Sequence, residues 1–260
     1  MASSTKGKGR GHGRRNEDPD VQLSKTLSWI LRHGAKKEGL EMRSDGYVRL
    51  DQLLSRPKLH GVKFDAIRNI VETNNKQRFT LILQPIDPDS TKSVTGTAPI
   101  PVELPHPAVT IPPLPGTEAP ADLENLIEAG GIWYIRANQG HTLKVEDLEL
   151  HEVKDPNEIP IAIHGTTLKA WHAISRKGLS VMGRNHIHIA AGKPGASGVL
   201  SGMRTGSQVL IYIDVAKAMA DGIKFLISAN GVILTEGNEE KFLLKEYFEK
   251  VEAQDGTSLL

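Results

Sequence analysis

The chain has 260 residues, with 32 basic and 31 acidic side chains for a formal net charge of +1, and it contains no cysteine. That length allows one large domain or two small ones with a proper core, and the charge balance excludes a polycation. Without cysteine there are no disulfides and no thiolate metal sites, which fits a reducing compartment.

Aromatic residues make up only 5% of the chain, so Leu, Ile and Val must carry the core. No apolar run reaches membrane-spanning length, and the start is basic and glycine-rich rather than signal-like. The expectation is a soluble intracellular protein of the nucleus or cytoplasm, with no membrane partner.

Residues 1–19 open with a basic stretch that holds Lys6, Lys8, Arg10, Arg14 and Arg15 and no acid up to that point. Such a tail reads as disordered and solvated. It can add salt-sensitive affinity for RNA or serve as a nuclear address, but it cannot choose a substrate.

Residues 20–83 form the first compact unit. Leu23, Thr26, Leu27, Ile30 and Leu31 follow helical spacing, with Gly34 as the expected stop. On that helix Arg32 points away from the apolar stripe and His33 sits at its margin. Tyr47-Val48 predicts a strand running into a helical turn capped by Asp51. Residues 64–73 predict an amphipathic helix and 78–83 a strand.

Ten of the 15 prolines lie between Gln84 and Asp122. Proline interrupts both helix and central-strand hydrogen bonding, so 84–127 reads as an inserted loop or linker. A strand at 132–136 follows and can pair with 78–83. Helices followed by a β-ribbon are the order of a winged helix, a fold that by itself settles no function.

From 132 to 251 strands and short helices alternate. Strands are expected at 159–165, 186–190 and 208–214, and helices at 166–178 and 215–222. A hairpin is expected around Asn230-Gly231, a favoured turn pair, and the segment from Lys241 to Val251 is a final strand or helix. Residues 252–260 are a short tail. The fold class is α+β.

Several short strings carry chemistry. LSWILRHG holds Arg32 and His33, YIRANQGHT holds Arg136, and SGMRTG holds Arg204. None of these strings contains a carboxylate, and guanidinium forks onto phosphate oxygens, so together they read as a phosphate-binding set. Each string alone has an ordinary explanation, such as a cation at a helix carboxyl end or an exposed Arg at a hairpin exit. His164-Gly165-Thr166 closes an apolar strand, and the glycine permits close approach by a ligand. His186 and His188 alternate on a strand and face one side. Without a carboxylate or cysteine in that string, metal is not expected. Neither a Walker loop nor a Rossmann glycine fingerprint is present.

The strings LSKTLSWILRHG, GLEMRSDGYVRLDQLL, NNKQRFTL, YIRANQGHT, IHGTT, GLSVMGRNHIHIA, SGMRTGSQVLIYID and SANGVIL occur in order and cover about 20–83 and 130–250. This pattern resembles the tRNA 2′-phosphotransferase family. The resemblance implies a winged-helix-like RNA lobe over 20–83, completed near 132–136, joined to an ADP-ribosyltransferase-like lobe over 132–251, with both substrates between them.

It further implies that Arg32, His33, Arg136 and Arg204 handle the phosphate. It places NAD against His164, Gly165, Thr166, His186, His188, Asn230, Gly231 and Val232. The implied reaction moves the splice-junction 2′-phosphate of tRNA to NAD, through a 2′-phospho-ADP-ribosylated RNA. It releases nicotinamide, 2′-hydroxyl RNA and ADP-ribose 1″,2″-cyclic phosphate. A monomer is expected. The chain departs from the family pattern in its proline loop, its basic tail and Thr142, which stands where serine is usual. Two rivals remain: an ADP-ribosyltransferase that stops at capping phosphorylated nucleic-acid ends, and a winged-helix RNA-binding protein without catalysis.

Overall fold

A computed structural model describes residues 18–85, 131–193, 203 and 206–260. The basic stretch up to Arg15, nearly all of the proline-rich segment, and Arg204 with Thr205 lie outside the described residues. The architecture is mixed α and β, with short helices beside small antiparallel sheets.

Helix α1 (Pro19–Trp29) is capped by the Asp18 carboxylate, which accepts from the Asp20 N–H at 2.9 Å. It does not stop at Gly34 as expected. It widens into one π-helical turn, Ile30–Gly34, and the chain remains helical at Ala35. The left-handed residue that ends this region is Gly39 (φ +66), where Leu40 N–H bonds Ala35 O at 2.9 Å. Gly34 has another use: a Cβ there would run into the Trp29 ring.

Strand β1 (Val48–Arg49) leads into the five-residue helix α2 (Leu50–Leu54). Asp51 is not its cap. Its carboxylate lies in the first turn and takes a fork from Arg49, at 2.6 and 3.1 Å. Helix α3 (Phe64–Thr73) matches its sequence pattern and buries Phe64, Ile67 and Ile70. Strands β2 (Phe79–Pro85) and β3 (Gly131–Ala137) pair antiparallel from Phe79↔Ala137 to Pro85↔Gly131, and β1 joins the other edge of β3. Helix and sheet share one apolar core in which Phe64 meets Trp133 at 5.0 Å between ring centroids.

A second apolar core gathers residues from Val153 to Val251. Strand β4 is Leu150–Glu152 and β5 is Ile163–Thr166. Helix α4 (Leu168–Lys177) is capped by Thr167, whose hydroxyl accepts from Ala170 N–H. Then come β6 (Leu179–Ser180), β7 (Ile187–Ile189), β8 (Val209–Ile213), helix α5 (Val215–Ala220), β9 (Leu226–Ser228), β10 (Ile233–Thr235), β11 (Phe242–Leu243) and β12 (Phe248–Ala253). The sheets run β4-β9-β10-β7, β12-β8-β5 and β11-β6. An Ile163↔Ala190 bridge ties β5 to the end of β7, so the two larger sheets of this core meet there.

The final segment, expected as a strand or a helix, is two strands joined by a 3-10 turn at Lys245–Tyr247. The Asn230-Gly231 hairpin also differs from the expected two-residue turn. Ser228 and Val232 close a three-residue loop, and only Gly231 (φ +72) is left-handed. This is the longer loop class, in which a left-handed residue follows an ordinary turn.

Two hydrogen bonds from Asn185 join the cores, Nδ2 to Leu143 O at 3.0 Å and N–H to His141 O at 3.2 Å. Two more cross at the α3–β2 turn, where Asn230 Nδ2 donates to Lys76 O at 2.9 Å and Lys76 Nζ to Met203 O at 3.2 Å.

Gly178 ends α4 as the sequence indicates, at φ 86 and ψ 179, a region open to glycine and strained for other residues. A Cβ there would also overlap the Leu243 carbonyl. Gly178→Ala is expected to lower unfolding free energy by about 1–3 kcal/mol or more. Gly183→Ala, where no atom lies within 4 Å of the added carbon, should stay within about 0.5 kcal/mol. Thermal denaturation of both variants checks this, and equal midpoints would contradict it.

Candidate active site

The π-turn is where the site begins. Widening the last turn of α1 frees the Arg32 carbonyl, which accepts from Thr142 N–H at 3.0 Å and Leu143 N–H at 3.4 Å. Such turns recur at functional positions because they redirect side chains out of the regular helical rows. The loop after β3 is thereby stitched to the end of α1. His33 joins the same stitch, its Nδ1 lying 3.0 Å from Thr142 Oγ1. That contact needs only a hydroxyl, so threonine in place of serine preserves it.

The Arg32 guanidinium is largely removed from water, and its Nε and Nη2 have no hydrogen-bond partner. Burial first, then the charges of Arg78 and Arg184, lower its pKa to about 10, so it stays charged at neutral pH. Arg78 stands at the start of β2, where its Nη1 donates to Asn74 Oδ1 at 3.1 Å. Arg184 precedes β7, and its field also depresses His33, His164 and His188. Arg184 thus faces the α1 end from the second core. Neither Arg78 nor Arg184 stood out by sequence, although both occur in the strings that carry the resemblance. The signal is only that each is a cation shortly before an apolar strand.

The histidines of this cleft are held neutral. Burial, with Arg184 and Arg32 assisting, pushes His188 down to about 3. Burial and the charges of Arg32 and Arg136 push His141 down to about 4. His33 and His164 shift the same way, each mainly through burial. His164 Nδ1 lies 2.8 Å from His188 O. A carbonyl can only accept, so Nδ1 carries the proton and Nε2 is left as an acceptor. His186 and His188 project on the side of β7 opposite the buried Ile187 and Ile189. His188 is the one set by Arg184 and Arg32. His186 answers instead to Glu236 and Lys241.

Arg136 is buried and already has a carboxylate partner. It is 3% exposed, its Nη2 pairs with Glu149 at 2.6 Å, and its Nη1 reaches Asp45 O at 3.4 Å. The guanidinium also stacks over Tyr47 at 4.7 Å. The missing carboxylate was simply supplied from outside its own string, leaving Nε without a partner. Behind it sits His141, 2% exposed with both ring nitrogens unpartnered, which sequence reasoning passed over. Arg204 lies outside the described residues.

The remaining candidates divide. His164, Gly165 and Thr166 are all partly exposed, and a Cβ added at Gly165 would meet Met203 and Ser207. Val232 is 0% exposed inside its turn. Asn230 is 1% exposed and spends its amide on Lys76 O and Ser228 Oγ, with Gly231 at the left-handed corner beside it.

Among the described residues, seven buried side-chain polar atoms lack a hydrogen-bond partner: six are on Arg32, Arg136, His141 and His188, and the seventh is Trp133 Nε1 in the first core. Buried donors are normally satisfied, so a concentration of them next to crowded cations marks a place that an anion completes.

The model of the RNA 2′-phosphotransferase, Tpt1 / KptA family matches residues 18–237. The chain is 43% identical to tRNA 2′-phosphotransferase 1 of Mus musculus, over 93% of this chain and 80% of that protein. It is likewise 43% identical to tRNA 2′-phosphotransferase 1 of Homo sapiens, over 91% and 77%. To tRNA 2′-phosphotransferase of Saccharomyces cerevisiae it is 35% identical over 83% and 78%. A match over most of the length, covering every cationic residue of the cleft, means that the chain belongs to the RNA 2′-phosphotransferase family and is a transferase.

Proposed function

We propose that this enzyme removes the splice-junction 2′-phosphate of tRNA by transferring it to NAD, with Arg32, His33, Arg78 and Arg184 as the groups that meet the phosphate. The observation that carries this reading is the cluster of unanswered buried donors around Arg32. A 2′-phosphate monoester is close to dianionic and offers three strong acceptor oxygens. Forked guanidiniums match that shape, whereas imidazoles held neutral add direction without charge. Arg136, already paired with Glu149, stands behind the site and offers at most its Nε.

NAD is consumed as a second substrate, and the residues on the second core fit one. His164 Nε2 is an acceptor with a fixed tautomer, suited to a ribose hydroxyl, and His188 Nε2 is unpartnered. The two lobes read as winged-helix-like and ADP-ribosyltransferase-like, with the seam between the two cores as the cleft. In the first step a phosphate oxygen bonds the anomeric carbon of the nicotinamide riboside. The carbon–nitrogen bond breaks, and nicotinamide leaves with the electron pair. This yields the 2′-phospho-ADP-ribosylated RNA. In the second step the ADP-ribose 2″-oxygen bonds phosphorus and the bond to the RNA 2′-oxygen breaks. The hydroxyl loses a proton and the RNA oxygen gains one. The products are 2′-hydroxyl RNA and ADP-ribose 1″,2″-cyclic phosphate.

The arginines position the anion for the first step and stabilise charge on its equatorial oxygens in the second. Neutral His33, joined to Thr142 beside Arg32, is placed to take up the proton that the 2″-hydroxyl loses and pass it to the leaving 2′-oxygen. Holding the ground state alone does not raise turnover, so loss of an arginine should slow the second step most.

The direct test incubates the full chain with a short RNA bearing an internal 2′-phosphate, with and without NAD, and weighs both products. Loss of phosphate and a cyclic phosphate product only with NAD are expected. A stable adduct as the end product would favour capping, and no change with NAD would exclude the reading. In the same assay, Arg32→Lys and Arg78→Lys should each lose about 1.5–3 kcal/mol of transition-state stabilisation, because the charge survives but the fork does not. Near wild-type turnover in either would contradict those assignments.

A pH dependence follows from the buried imidazoles. His141 and His188 bind protons at 6.5 when unfolded but only at about 4 and about 3 when folded. Between those values the unfolded chain binds more protons, so the histidine contribution is complete above pH 6.5 and is lost as pH falls. Glu158 and Glu252, held at about 2, begin to matter only below 4.5, which leaves the window from 6.5 to 4.5 to the histidines. Denaturation midpoints should decline across that window and decline less in His141→Gln. Parallel curves for the two proteins would contradict it.

A further inference from the structure

We infer that Asn230 and Asn138 are positioning residues: their side-chain amides clamp the turn that carries Arg78 and so set where its guanidinium meets the phosphate. This rests on the reading of Arg78 as a phosphate-handling group.

The turn between α3 and β2 is strained and tightly bonded. Gln77 lies at φ +40, which a residue with a side chain adopts only when its surroundings enforce it. Asn74 begins the enforcement. Its Oδ1 accepts from Lys76 N–H at 3.0 Å and from Arg78 Nη1, and its carbonyl accepts from Gln77 N–H at 2.7 Å.

The next two carbonyls then turn outward to two different amides. Lys76 O accepts from Asn230 Nδ2 at 2.9 Å, and Gln77 O from Asn138 Nδ2 at 2.8 Å. Arg78 O accepts from Asn138 N–H at 2.9 Å. Three successive carbonyls are thus held from two directions, and the last belongs to Arg78.

Both amides are themselves oriented. Thr80 Oγ1 donates to Asn138 Oδ1 at 2.6 Å, and Ser228 Oγ donates to Asn230 Oδ1 at 2.9 Å. With each oxygen engaged by a hydroxyl, each nitrogen must face the turn. Asn138 belongs to the first core and Asn230 to a hairpin of the second, so the clamp aligns Arg78 with the side of the cleft that carries Arg184.

Asparagine suits this task for a chemical reason. A carboxylate of the same shape cannot donate to a carbonyl, and its charge would compete with the incoming phosphate for the guanidinium. A neutral buried donor holds the turn and leaves the cation available.

The test uses the full chain with 2′-phosphorylated RNA and NAD. Asn230→Ala and Asn138→Ala are measured alone and combined with Arg78→Ala, and Asn230→Asp keeps the volume while removing the donor. Each single variant should lose on the order of 10- to 100-fold in turnover, the scale of a misplaced catalytic group. The KM for NAD should stay within about twofold, and in the Arg78→Ala background the asparagine changes should add less than about twofold. Hydrogen exchange of the 74–78 backbone should quicken in Asn230→Asp, while that of 248–253 does not. A raised KM for NAD with an undiminished loss in the Arg78→Ala background would overturn the inference, as would unchanged exchange at 74–78. An inactive wild-type chain would instead sink the proposed reaction, and the exchange result would still decide the clamp.

Discussion

A guanidinium buried with two unanswered donors, Arg32, governs the arrangement around it. Removing a cation from water is expensive unless something charged or strongly polar replaces the water. Here the nearest charges that act on it, Arg78 and Arg184, have the same sign and make matters worse. The surrounding chain relieves the crowding in the one way that leaves the site vacant for an anion. Its imidazoles stay neutral and its supports are amides, hydroxyls and carbonyls. A carboxylate beside Arg32 would stabilise the free protein and occupy the position of the phosphate.

The frame explains how such crowding survives folding. Each side of the cleft is anchored in its own apolar core, and hydrogen bonds from Asn185, Lys76 and Asn230 span the seam. Two short segments near these arginines depart from regular geometry and are held by several bonds: the π-turn at Ile30–Gly34 and the left-handed Gln77. In both, the strain redirects an arginine from a regular element into the cleft. The π-turn still buries Ile30 and Leu31 in the first core, so the widening does not cost that core its contacts.

Those segments also mark the limit of what the sequence revealed. Apolar spacing located α3, the β2–β3 pair and the Gly178 stop, because burial follows periodicity and glycine at that position is a steric necessity. The Arg32-His33 pair was legible for a similar reason, at the end of an amphipathic stripe. The π-turn was not, since one extra residue in a helical turn leaves no mark on composition. The Arg136–Glu149 pair was not legible either, because Glu149 lies 13 residues away on the chain and outside the string that holds Arg136. Arg78 and Arg184 leave no such mark, because what links them is that both charges act on Arg32, from parts of the chain more than 100 residues apart. The Asn230-Gly231 turn shows the same limit at smaller scale. The pair announces a bend, but the bond between Ser228 and Val232 decides its length.

The Arg136–Glu149 pair sharpens the electrostatic argument. A carboxylate does exist near these side chains, yet it is spent on Arg136, which also stacks over Tyr47 and acts on His141. That pairing lets Arg136 remain buried without adding a full uncompensated charge to the cluster. Under the proposed function, an incoming phosphate meets Arg32 with no ion pair to break, so its charge is not traded against one already in place. The strongest attraction falls where donors are unpartnered, which is where the reacting oxygen must be held. Preorganisation of this kind places the energetic burden on folding and lifts it from the reaction, which is how fixed dipoles and charges act on a transition state.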